Sequence, residues 1–362
     1  MKKRDDIQKE AENAIGNLNR CGVGASMGSG KTLIGLKHMS KNYSEYARFL
    51  VVAPKMSILK EWIQQAEQHK LAYLIPHIDT TTYLSLYKQD IDYDVVYLDE
   101  CHSLLYSHDE WLNGYKGKIL GLTGTPPKYK ASEKGEMVDK YCPIVYKYKT
   151  DTAINDKILN DYQIVIHMLN LNKLKTMEMK TKQGKTWYAS EYDTYNYWTN
   201  RLDAASTKKE QQIMRVMRMK ALMGFPSKEN LAKKLFESTS DKVILFANTQ
   251  EQADNLCTHS YHSNNSYSEE NLIKFKNGEI TKLSCVLQLN EGVNIPNLKE
   301  GIIMHAYGNE RKTAQRLGRL LRLNPNDTST INILCYANTV DENWVAQALE
   351  DFDQSKINYV IT

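Results

Sequence analysis

An eight-residue stretch near the N-terminus has the residue types and spacing of a phosphate-binding loop. Its sequence is ASMGSGKT, residues 25–32, and it stands between a short apolar run at 21–24 and a helical pattern at 33–39. Glycines let backbone N–H groups curl round phosphate oxygens, and the helix N-terminus adds positive potential. In this pattern the lysine reaches the β and γ phosphates, and the threonine hydroxyl ligates Mg²⁺. The sequence therefore predicts nucleotide binding by Gly28, Ser29, Gly30, Lys31 and Thr32.

Two adjacent carboxylates follow the apolar run of VVYLDECH, residues 95–102. At the carboxyl end of a strand beside a phosphate loop, Asp99 is placed to hold Mg²⁺ and Glu100 to polarise an attacking water. A solvated acidic turn after a core strand is the alternative, and it would be preferred if the pair stood alone. The phosphate loop earlier in the chain favours the catalytic interpretation.

A basic stretch near the C-terminus, QRLGRLLR at 315–322, is the third candidate. On a helix, Gln315, Arg319 and Arg322 fall on one face. Guanidinium groups on such a face can stabilise the charge that develops on a γ-phosphate during hydrolysis. A solvated basic helix explains this segment equally well by itself, so the assignment depends on the other two motifs.

Short apolar runs alternate with helical patterns in two parts of the chain. The strand-like runs are 49–53, 95–98, 119–123, 243–247, 285–289, 301–306 and 331–336. The helical patterns are 32–39, 58–66, 250–257, 312–321 and 341–349. This alternation predicts an α/β fold with two parallel-sheet domains, residues 1–148 and 149–362, and helices on both faces of each sheet.

Composition excludes several classes of protein. The chain has 362 residues, of which 41% are hydrophobic and 25% charged, enough for two ordinary cores and unlike disordered or collagen-like sequences. A charged N-terminus and the lack of any apolar run of about 18 residues predict neither secretion nor a membrane span. We therefore expect a cytoplasmic protein, in the host cytoplasm if it is viral. Six scattered cysteines without a C-x-x-C pair predict reduced, buried thiols.

The centre of the chain differs in character from its flanks. Residues 170–235 contain 14 Lys and Arg against 6 Asp and Glu, a net charge of +8, so this is the first region in which to look for a polyanion-binding surface. We predict a strand at 164–171 and one long helix at 188–223. Its start carries Trp187, Tyr188, Tyr192, Tyr195, Tyr197 and Trp198. A small helical core is favoured for these aromatic residues over a base-stacking surface.

Taken in order, these motifs resemble those of a superfamily 2 helicase with a DExH box. Motif I is similar to residues 28–32, motif II to 99–102, motif III to 123–126 and motif VI to 315–322. Looser matches are motif Ia at 53–57, Ib at 81–83, IV at 246–249 and V at 290–296, with Gln8 in the place of the Q-motif glutamine.

The resemblance implies two RecA-like domains that clamp ATP while single-stranded nucleic acid crosses both. It implies catalytic roles for Lys31, Asp99, Glu100, Gln315, Arg319 and Arg322. It adds Gln8, Gly292 and Asn294 to the nucleotide site, and His102, Thr123 and Thr125 as coupling residues. Contacts to the nucleic-acid strand are expected from Lys55, Ser57, Thr82, Asn248 and Thr249.

Within the family, the DECH, EGVNIP and QRLGR forms are most similar to compact phage recombination and branch-migration helicases (UvsW-like) and to restriction-enzyme motors. DNA is favoured over RNA. Motif I begins within the first 30 residues and 40 residues follow motif VI, so we expect no separate substrate-recognition domain at either end. The predicted function is an ATP-dependent DNA helicase or translocase that remodels forks or junctions. An RNA helicase and a nucleotide-gated clamp without unwinding are the alternatives, no protein partner is indicated, and no residue cluster supports a nuclease.

Overall fold

The computed structural model describes residues 3–26, 28–127, 129–180, 184–286, 295–306, 327–350 and 352–362. The chain forms two compact units, the first running to Asp161 and the second beginning at Tyr162. Motif VI and most of motif V lie outside the described residues. The site residues affected are Gly292, Asn294, Gln315, Arg319 and Arg322, and the helix predicted at 312–321 is affected as well.

The first unit is built on a six-stranded sheet in the order β3-β2-β4-β5-β1-β6. All five neighbouring pairs are parallel, as the alternating pattern predicts. Its strands are β1 (Arg20–Ala25), β2 (Phe49–Ala53), β3 (Ile78–Thr82), β4 (Val95–Asp99), β5 (Lys118–Thr123) and β6 (Ile144–Tyr148). Every residue of β2 and β4 is buried, which is why these strands are continuous apolar runs in the sequence.

Helices of the first unit connect and cover these strands. They are α1 (Arg4–Ile15), α2 (Lys31–Lys41), α3 (Met56–Gln68), α4 (Asp109–Gly114), α5 (Glu133–Tyr141) and α6 (Thr150–Asn155). The unit continues past residue 148 because β6 pairs with β1 at its last residue, Tyr148, whose hydroxyl then donates to Asp156 at 3.0 Å. This contact keeps α6 with the first unit.

The second unit contains a seven-stranded sheet in the order β11-β12-β10-β13-β14-β7-β15. Its strands are β7 (Asp161–Leu169), β10 (Val243–Ala247), β11 (Ser260–Tyr261), β12 (Lys282–Val286), β13 (Glu300–Ile303), β14 (Thr328–Tyr336) and β15 (Ile357–Ile361). The pairs β11–β12, β12–β10, β10–β13, β13–β14 and β7–β15 are parallel. Both units are therefore parallel-sheet α/β structures, which confirms the predicted fold class.

Among the described residues, the second unit also contains six α-helices, a one-turn 3-10 helix (Gln354–Lys356) and a small hairpin. The helices are α7 (Glu191–Asp203), α8 (Lys208–Gly224), α9 (Pro226–Ser238), α10 (Gln250–Leu256), α11 (Ser268–Asn277) and α12 (Val340–Leu349). The hairpin pairs β8 (Met177–Lys180) with β9 (Thr186–Ala189) in antiparallel fashion.

The single helix predicted at 188–223 is wrong. The chain there finishes β9 and then forms two packed helices, α7 and α8. Ser190 caps α7 by accepting a hydrogen bond from the Asp193 N–H at 2.9 Å. Thr207 caps α8 in the same way, with Glu210 completing a capping box. The two Ser/Thr-x-x-Asp/Glu patterns were the available signals for two helix starts.

The aromatic residues of this region are divided between core and surface, so the prediction of a shared core is also wrong. Tyr195 is buried, whereas Trp187, Tyr188, Tyr192 and Tyr197 are exposed.

The six cysteines are free thiols, five of them buried and Cys257 partly so, as predicted. Across the described ranges, no helix has the length and apolar character needed to cross a membrane.

A fully buried ion pair joins three elements of the second unit. The ammonium group of Lys228, in the first turn of α9, contacts the carboxylate of Asp341 in α12. The Asp341 carboxylate also accepts from the Tyr336 backbone N–H, at 2.9 Å, at the end of β14. His305 Nδ1 lies 3.1 Å from the Lys228 ammonium. Because neither charge is exposed, each depends on the other for its stability in the core.

We predict that Asp341→Asn lowers the free energy of unfolding by about 3–5 kcal/mol, because the Lys228 charge stays buried without its counter-ion. Urea unfolding followed by far-UV circular dichroism measures the change. The matched control is Glu270→Gln, which breaks a 2.6 Å ion pair with Lys274 on the surface of α11 and should leave the midpoint nearly unchanged. Equal midpoints for Asp341→Asn and wild type would contradict the prediction.

Candidate active site

The phosphate loop and the carboxylate pair lie at the ends of neighbouring strands. In the first sheet β4, β5 and β1 are adjacent and parallel, so their carboxyl ends meet at one edge. The phosphate loop comes directly after β1. Asp99 is the last residue of β4, and Thr123 is the last residue of β5. The topology thus brings motifs I, II and III of the sequence analysis together.

The phosphate loop has the backbone geometry that its glycines predict. Gly28 and Gly30 have φ angles of +82° and +88°, a region that favours glycine. Between them Ser29 is fully buried, and its hydroxyl donates to the Ser26 carbonyl at 2.6 Å. The helix α2 begins directly afterwards at Lys31. A loop that turns sharply into a helix N-terminus is suited to holding phosphate oxygens.

Gln8 lies against this loop from α1. Its side chain is buried, and its Oε1 accepts a hydrogen bond from Lys37 Nζ at 2.7 Å. A Cβ atom at position 30 would come within 2.7 Å of Gln8 Nε2, so Gln8 packs directly against the loop backbone. The contact fits a place for Gln8 in the nucleotide site, while its reading of adenine stays a prediction.

Asp99 is a buried carboxylate with a specific set of partners. Trp62 Nε1 donates to its Oδ2 at 2.7 Å, and the Glu100 backbone N–H donates to its Oδ1 at 2.9 Å. Burial, and then the charge of Glu100, raise the pKa of Asp99 to about 7, while Trp62 and the positive charge of Lys31 act in the opposite direction. Lys31 is therefore close enough to Asp99 for the loop and the carboxylate to form one electrostatic site.

Glu100 has a strained backbone and a side chain directed at the end of β5. Its φ of +50° lies in the left-handed region, which is uncommon for a residue other than glycine. Its Oε2 lies 3.5 Å from both Thr123 Oγ1 and the Gly124 backbone nitrogen, and 3.3 Å from His102 Nδ1. The carboxylate proposed to polarise water is thus held among the residues of motif III.

Thr123 contacts each of the other members of a small polar cluster at this strand end. Its Oγ1 lies 2.8 Å from His102 Nδ1 and accepts from the Thr125 backbone N–H at 3.1 Å. Thr125 Oγ1 in turn lies 3.5 Å from His102 Nδ1. The three predicted coupling residues are therefore in contact with one another and, through Glu100, with the candidate catalytic carboxylates.

The donor set fits Mg²⁺. This ion prefers oxygen ligands and is commonly bound by one or two carboxylates together with nucleotide phosphates. Asp99 supplies a buried carboxylate whose negative charge is crowded by Glu100, and Thr32 supplies a hydroxyl in the first turn of α2. We propose that these two residues hold the ion, which would polarise phosphoryl oxygens when bound.

The residues expected to contact nucleic acid in the first unit lie at the same sheet edge. Ala53 at the end of β2 is the register partner of Thr82 at the end of β3. Lys55 is exposed two residues beyond β2. Ser57 is the second residue of the next helix, α3, and its side chain lies outside the described part of the chain.

In the second unit, Asn248 and Thr249 follow β10. Thr249 Oγ1 caps α10 by accepting from the Gln252 N–H at 3.2 Å. Asn248 Nδ2 is buried and has no hydrogen-bond partner among the described residues. The structure places both residues at a strand end, and their contact with nucleic acid remains a proposal.

Sequence reasoning missed two residues that hold Asp99. Trp62 lies on α3 and donates to the carboxylate, and the Tyr83 hydroxyl donates to the Asp99 backbone carbonyl at 2.9 Å. Both side chains are buried. The available signal was Trp62 on the apolar stripe of a helix, because a buried indole N–H requires an acceptor.

Comparison with known proteins agrees with this arrangement. Residues 227–324 match the family described as helicase conserved C-terminal domain. Over an alignment of 366 residues, the chain is 25% identical to the DNA 3'-5' translocase XPB2 of Sulfurisphaera tokodaii. The alignment covers 91% of this chain and 81% of the relative.

Two solved structures share the fold. S. cerevisiae Dbp5 bound to RNA and ADP BeF3 has a TM-score of 0.62 at 14% identity, covering 98% of this chain and 89% of that one. The ATP-dependent Type ISP restriction-modification enzyme LlaBIII bound to DNA has a TM-score of 0.64 at 14% identity and covers all of this chain, which spans 31% of its length.

The two parallel-sheet units are therefore RecA-like helicase domains in fold. Together, the matched family and the translocase relative support a superfamily 2 helicase, an enzyme that hydrolyses ATP under stimulation by nucleic acid.

We predict that Trp62→Phe raises the Mg²⁺ concentration needed for half-maximal ATP hydrolysis by roughly tenfold, because the Asp99 carboxylate loses the donor that orients it. A titration of Mg²⁺ at fixed ATP measures this shift. The control is Trp111→Phe, which removes an indole donor to the Gln89 carbonyl at 2.9 Å in the same unit. An equal Mg²⁺ requirement in both variants would show that Trp62 acts only in packing.

Proposed function

We propose that this chain is a DExH-type, ATP-driven motor on DNA that remodels forks or branched junctions. Support comes from the relative, which is named a DNA 3'-5' translocase and covers most of the chain. We take movement from 3′ to 5′ as the expected direction for the same reason. The DECH and EGVNIP forms support the more specific similarity to compact UvsW-like helicases.

The observation that carries the proposal is the connected polar path from Asp99 through Glu100 to His102, Thr123 and Thr125. We propose that Glu100 polarises a water beside a phosphate that Lys31 holds, and its carboxylate also faces the β5 end. Loss of the γ-phosphate would remove a negative charge next to Glu100. The electrostatic interactions among the side chains of this cluster would then change. A site built in this way can pass the nucleotide state to an adjacent sheet edge.

The sheet edge that receives this signal carries the candidate strand contacts. Lys55 and Thr82 follow or end the neighbouring strands β2 and β3 of the same sheet. Lysine and threonine at strand ends are suited to phosphate contacts, which fix the position of a strand without reading its sequence. We therefore propose sequence-independent tracking of one DNA strand, with ATP and Mg²⁺ as cofactors.

RNA is the alternative polymer, and a clamp that hydrolyses ATP without unwinding is the alternative mechanism. Dbp5, which shares the fold, was solved with RNA, but its likeness at 14% identity concerns the fold alone. Glu100 argues against a clamp, because a pure nucleotide switch needs no residue that activates water.

The proposal is tested by ATP turnover with single-stranded DNA, duplex DNA, a fork, a four-way junction or single-stranded RNA. We expect the largest stimulation with the fork and junction. Lys31→Ala and Glu100→Gln should each lower stimulated turnover by at least about a hundredfold, since they remove phosphate binding and water activation. Stimulation by RNA alone, or by no polymer, would contradict a DNA motor.

A second prediction concerns coupling. Thr123→Val keeps the volume of the side chain but removes the hydroxyl shared by His102, Glu100 and Thr125. We expect DNA-independent ATP turnover to change by less than about threefold. Stimulation by DNA and translocation should fall by about tenfold or more, because the variant loses a buried polar network.

The control for this variant is Thr330→Val in β14 of the second unit, which removes a hydroxyl that accepts from Gln163 Nε2 at 2.9 Å and lies outside the matched motifs. It should retain stimulation. Full stimulation in Thr123→Val would remove the polar path from the mechanism, even if ATP hydrolysis itself is confirmed.

A further inference from the structure

The strand β15 leaves one edge of the second sheet open. Among the described residues it is the end member of the sheet order and pairs with β7 alone. The pairing is parallel and unbroken, from Ile357 opposite Ile164 to Ile361 opposite Met168. An open edge presents backbone N–H and C=O groups that can pair with a further strand.

The other three edges of the two large sheets each have a feature that hinders such pairing. In the first sheet, β3 carries the exposed Asp79 and β6 carries the exposed Lys147. In the second sheet, β11 is only two residues long. Charged side chains and short strands are means by which proteins keep sheet edges from associating. The sequence of β15, INYVI at 357–361, has neither a charge nor a proline.

The apolar side chains of β15 are exposed on both faces of the strand. The exposed fractions are 67% for Tyr359, 42% for Val360 and 86% for Ile361. Tyr359 and Ile361 share one face, and Val360 lies on the other. A strand added at the open edge would bring apolar neighbours to both faces, and so remove part of this area from water.

The backbone groups that face the open edge belong to alternate residues of β15. The Thr362 N–H donates to the Met168 carbonyl at 3.0 Å, so the backbone of Thr362 faces β7. In a parallel ladder the hydrogen-bonding direction alternates from residue to residue. The backbone N–H and C=O groups of Ile357, Tyr359 and Ile361 therefore point away from β7, toward the open edge.

The start of β15 is fixed to the core of the second unit. The Asp353 N–H donates to the hydroxyl of Tyr162 at 3.1 Å, and Lys356 Nζ lies 4.9 Å from the centre of the same ring. Tyr162 is itself buried in β7. An edge strand held in this way is already ordered, so little conformational entropy is lost when a second strand pairs with it.

The sequence of β15 is nearly symmetric about Tyr359. If two copies of the strand pair in antiparallel orientation about this residue, Tyr359 faces its own counterpart and Ile357 faces Ile361 of the second copy. These are the residues whose backbone groups point outward, so each facing pair can exchange both of its N–H···O bonds. Asn358 then faces Val360 of the second copy. Aromatic and β-branched residues directly opposite one another stabilise a strand pair.

From these observations we infer that β15 pairs with β15 of a second copy of this chain, antiparallel about a two-fold axis at Tyr359. A second copy is favoured over another partner strand because β15 supplies its own matching sequence, with no charge to repel it. Contact along one five-residue strand is smaller than a standard interface of about 1,200–2,000 Å², so we expect a reversible dimer in the micromolar range. The inference does not rest on the proposed function.

The test is sedimentation velocity of the full chain, without nucleotide or nucleic acid, at about 1, 10 and 100 µM, the range in which such a dimer forms. Wild type should shift from monomer to dimer as its concentration rises. Tyr359→Lys and Tyr359→Glu each remove the aromatic pair and place two like charges opposite one another. We expect each variant to raise the dissociation constant of the dimer by about tenfold or more.

Mixing the two charged variants tests the position of the axis. An equimolar mixture of Tyr359→Lys and Tyr359→Glu should form dimers more strongly than either variant alone, because lysine then faces glutamate across the axis. The matched controls are Tyr267→Lys and Tyr267→Glu, at a tyrosine of the second unit that is 65% exposed. They should dimerise like wild type. Far-UV circular dichroism and thermal melting show whether each variant is folded.

Disulfide cross-linking tests the register of the two strands. The Cα atoms of a hydrogen-bonded antiparallel pair lie about 5.5 Å apart, within the range that a disulfide spans. In Tyr359→Cys, oxidised glutathione should therefore convert the two facing thiols into a disulfide and give a covalent dimer on a non-reducing gel. In Asn358→Cys the two thiols are diagonal neighbours about 7–8 Å apart, so cross-linking should be at least about tenfold slower.

Several outcomes would overturn the inference. They are a wild-type chain that stays monomeric at about 100 µM, a dimer that Tyr359→Lys leaves unchanged, and a mixture of charged variants that associates no better than either alone. Growth into larger assemblies would also overturn it, because pairing about a two-fold axis closes at two copies. The stimulation of ATP turnover by DNA is a separate measurement, so the proposed function can fail or succeed independently of this one.

Discussion

The structure of the first unit is organised around one buried carboxyl group, that of Asp99. Burial and the neighbouring Glu100 raise its pKa to about 7, and three groups act against that shift. Trp62 donates from α3, the Glu100 backbone donates from the following residue, and Lys31 contributes its charge from the phosphate loop. The helices α2 and α3 and the strand β4 must therefore hold fixed relative positions for these groups to act on Asp99.

The same constraint explains where backbone strain is found. Gly28 and Gly30 adopt positive φ angles at little energetic cost because glycine has no Cβ atom. Glu100 does have a Cβ atom, so its positive φ angle costs conformational energy. Its neighbours on both sides are fixed, Asp99 by hydrogen bonds and burial and Cys101 by full burial in the core. The strained turn directs the Glu100 carboxylate toward Thr123. The sheet supports a conformation that an isolated turn would not keep.

How much the sequence predicts depends on how locally each feature is encoded. The strands β2, β4 and β10 are buried throughout and were predicted from their apolar runs alone. The strands β6 and β15 lie at sheet edges, are partly or mostly exposed, and have no such run. Within the site, Lys31 and Asp99 belong to local motifs, whereas Trp62 reaches Asp99 from a distant part of the chain and is visible only in the folded structure.

The aromatic segment shows the opposite error, in which residue type was given more weight than position. On α7, Glu191 and Tyr195 are one turn apart and face the core, so Tyr192 and Tyr197 fall on other sides of the helix. One helix face cannot bury aromatic residues at all of these positions, whatever their apolar character. Position on the helix, and not residue type, therefore decides which rings of α7 are buried and which are exposed.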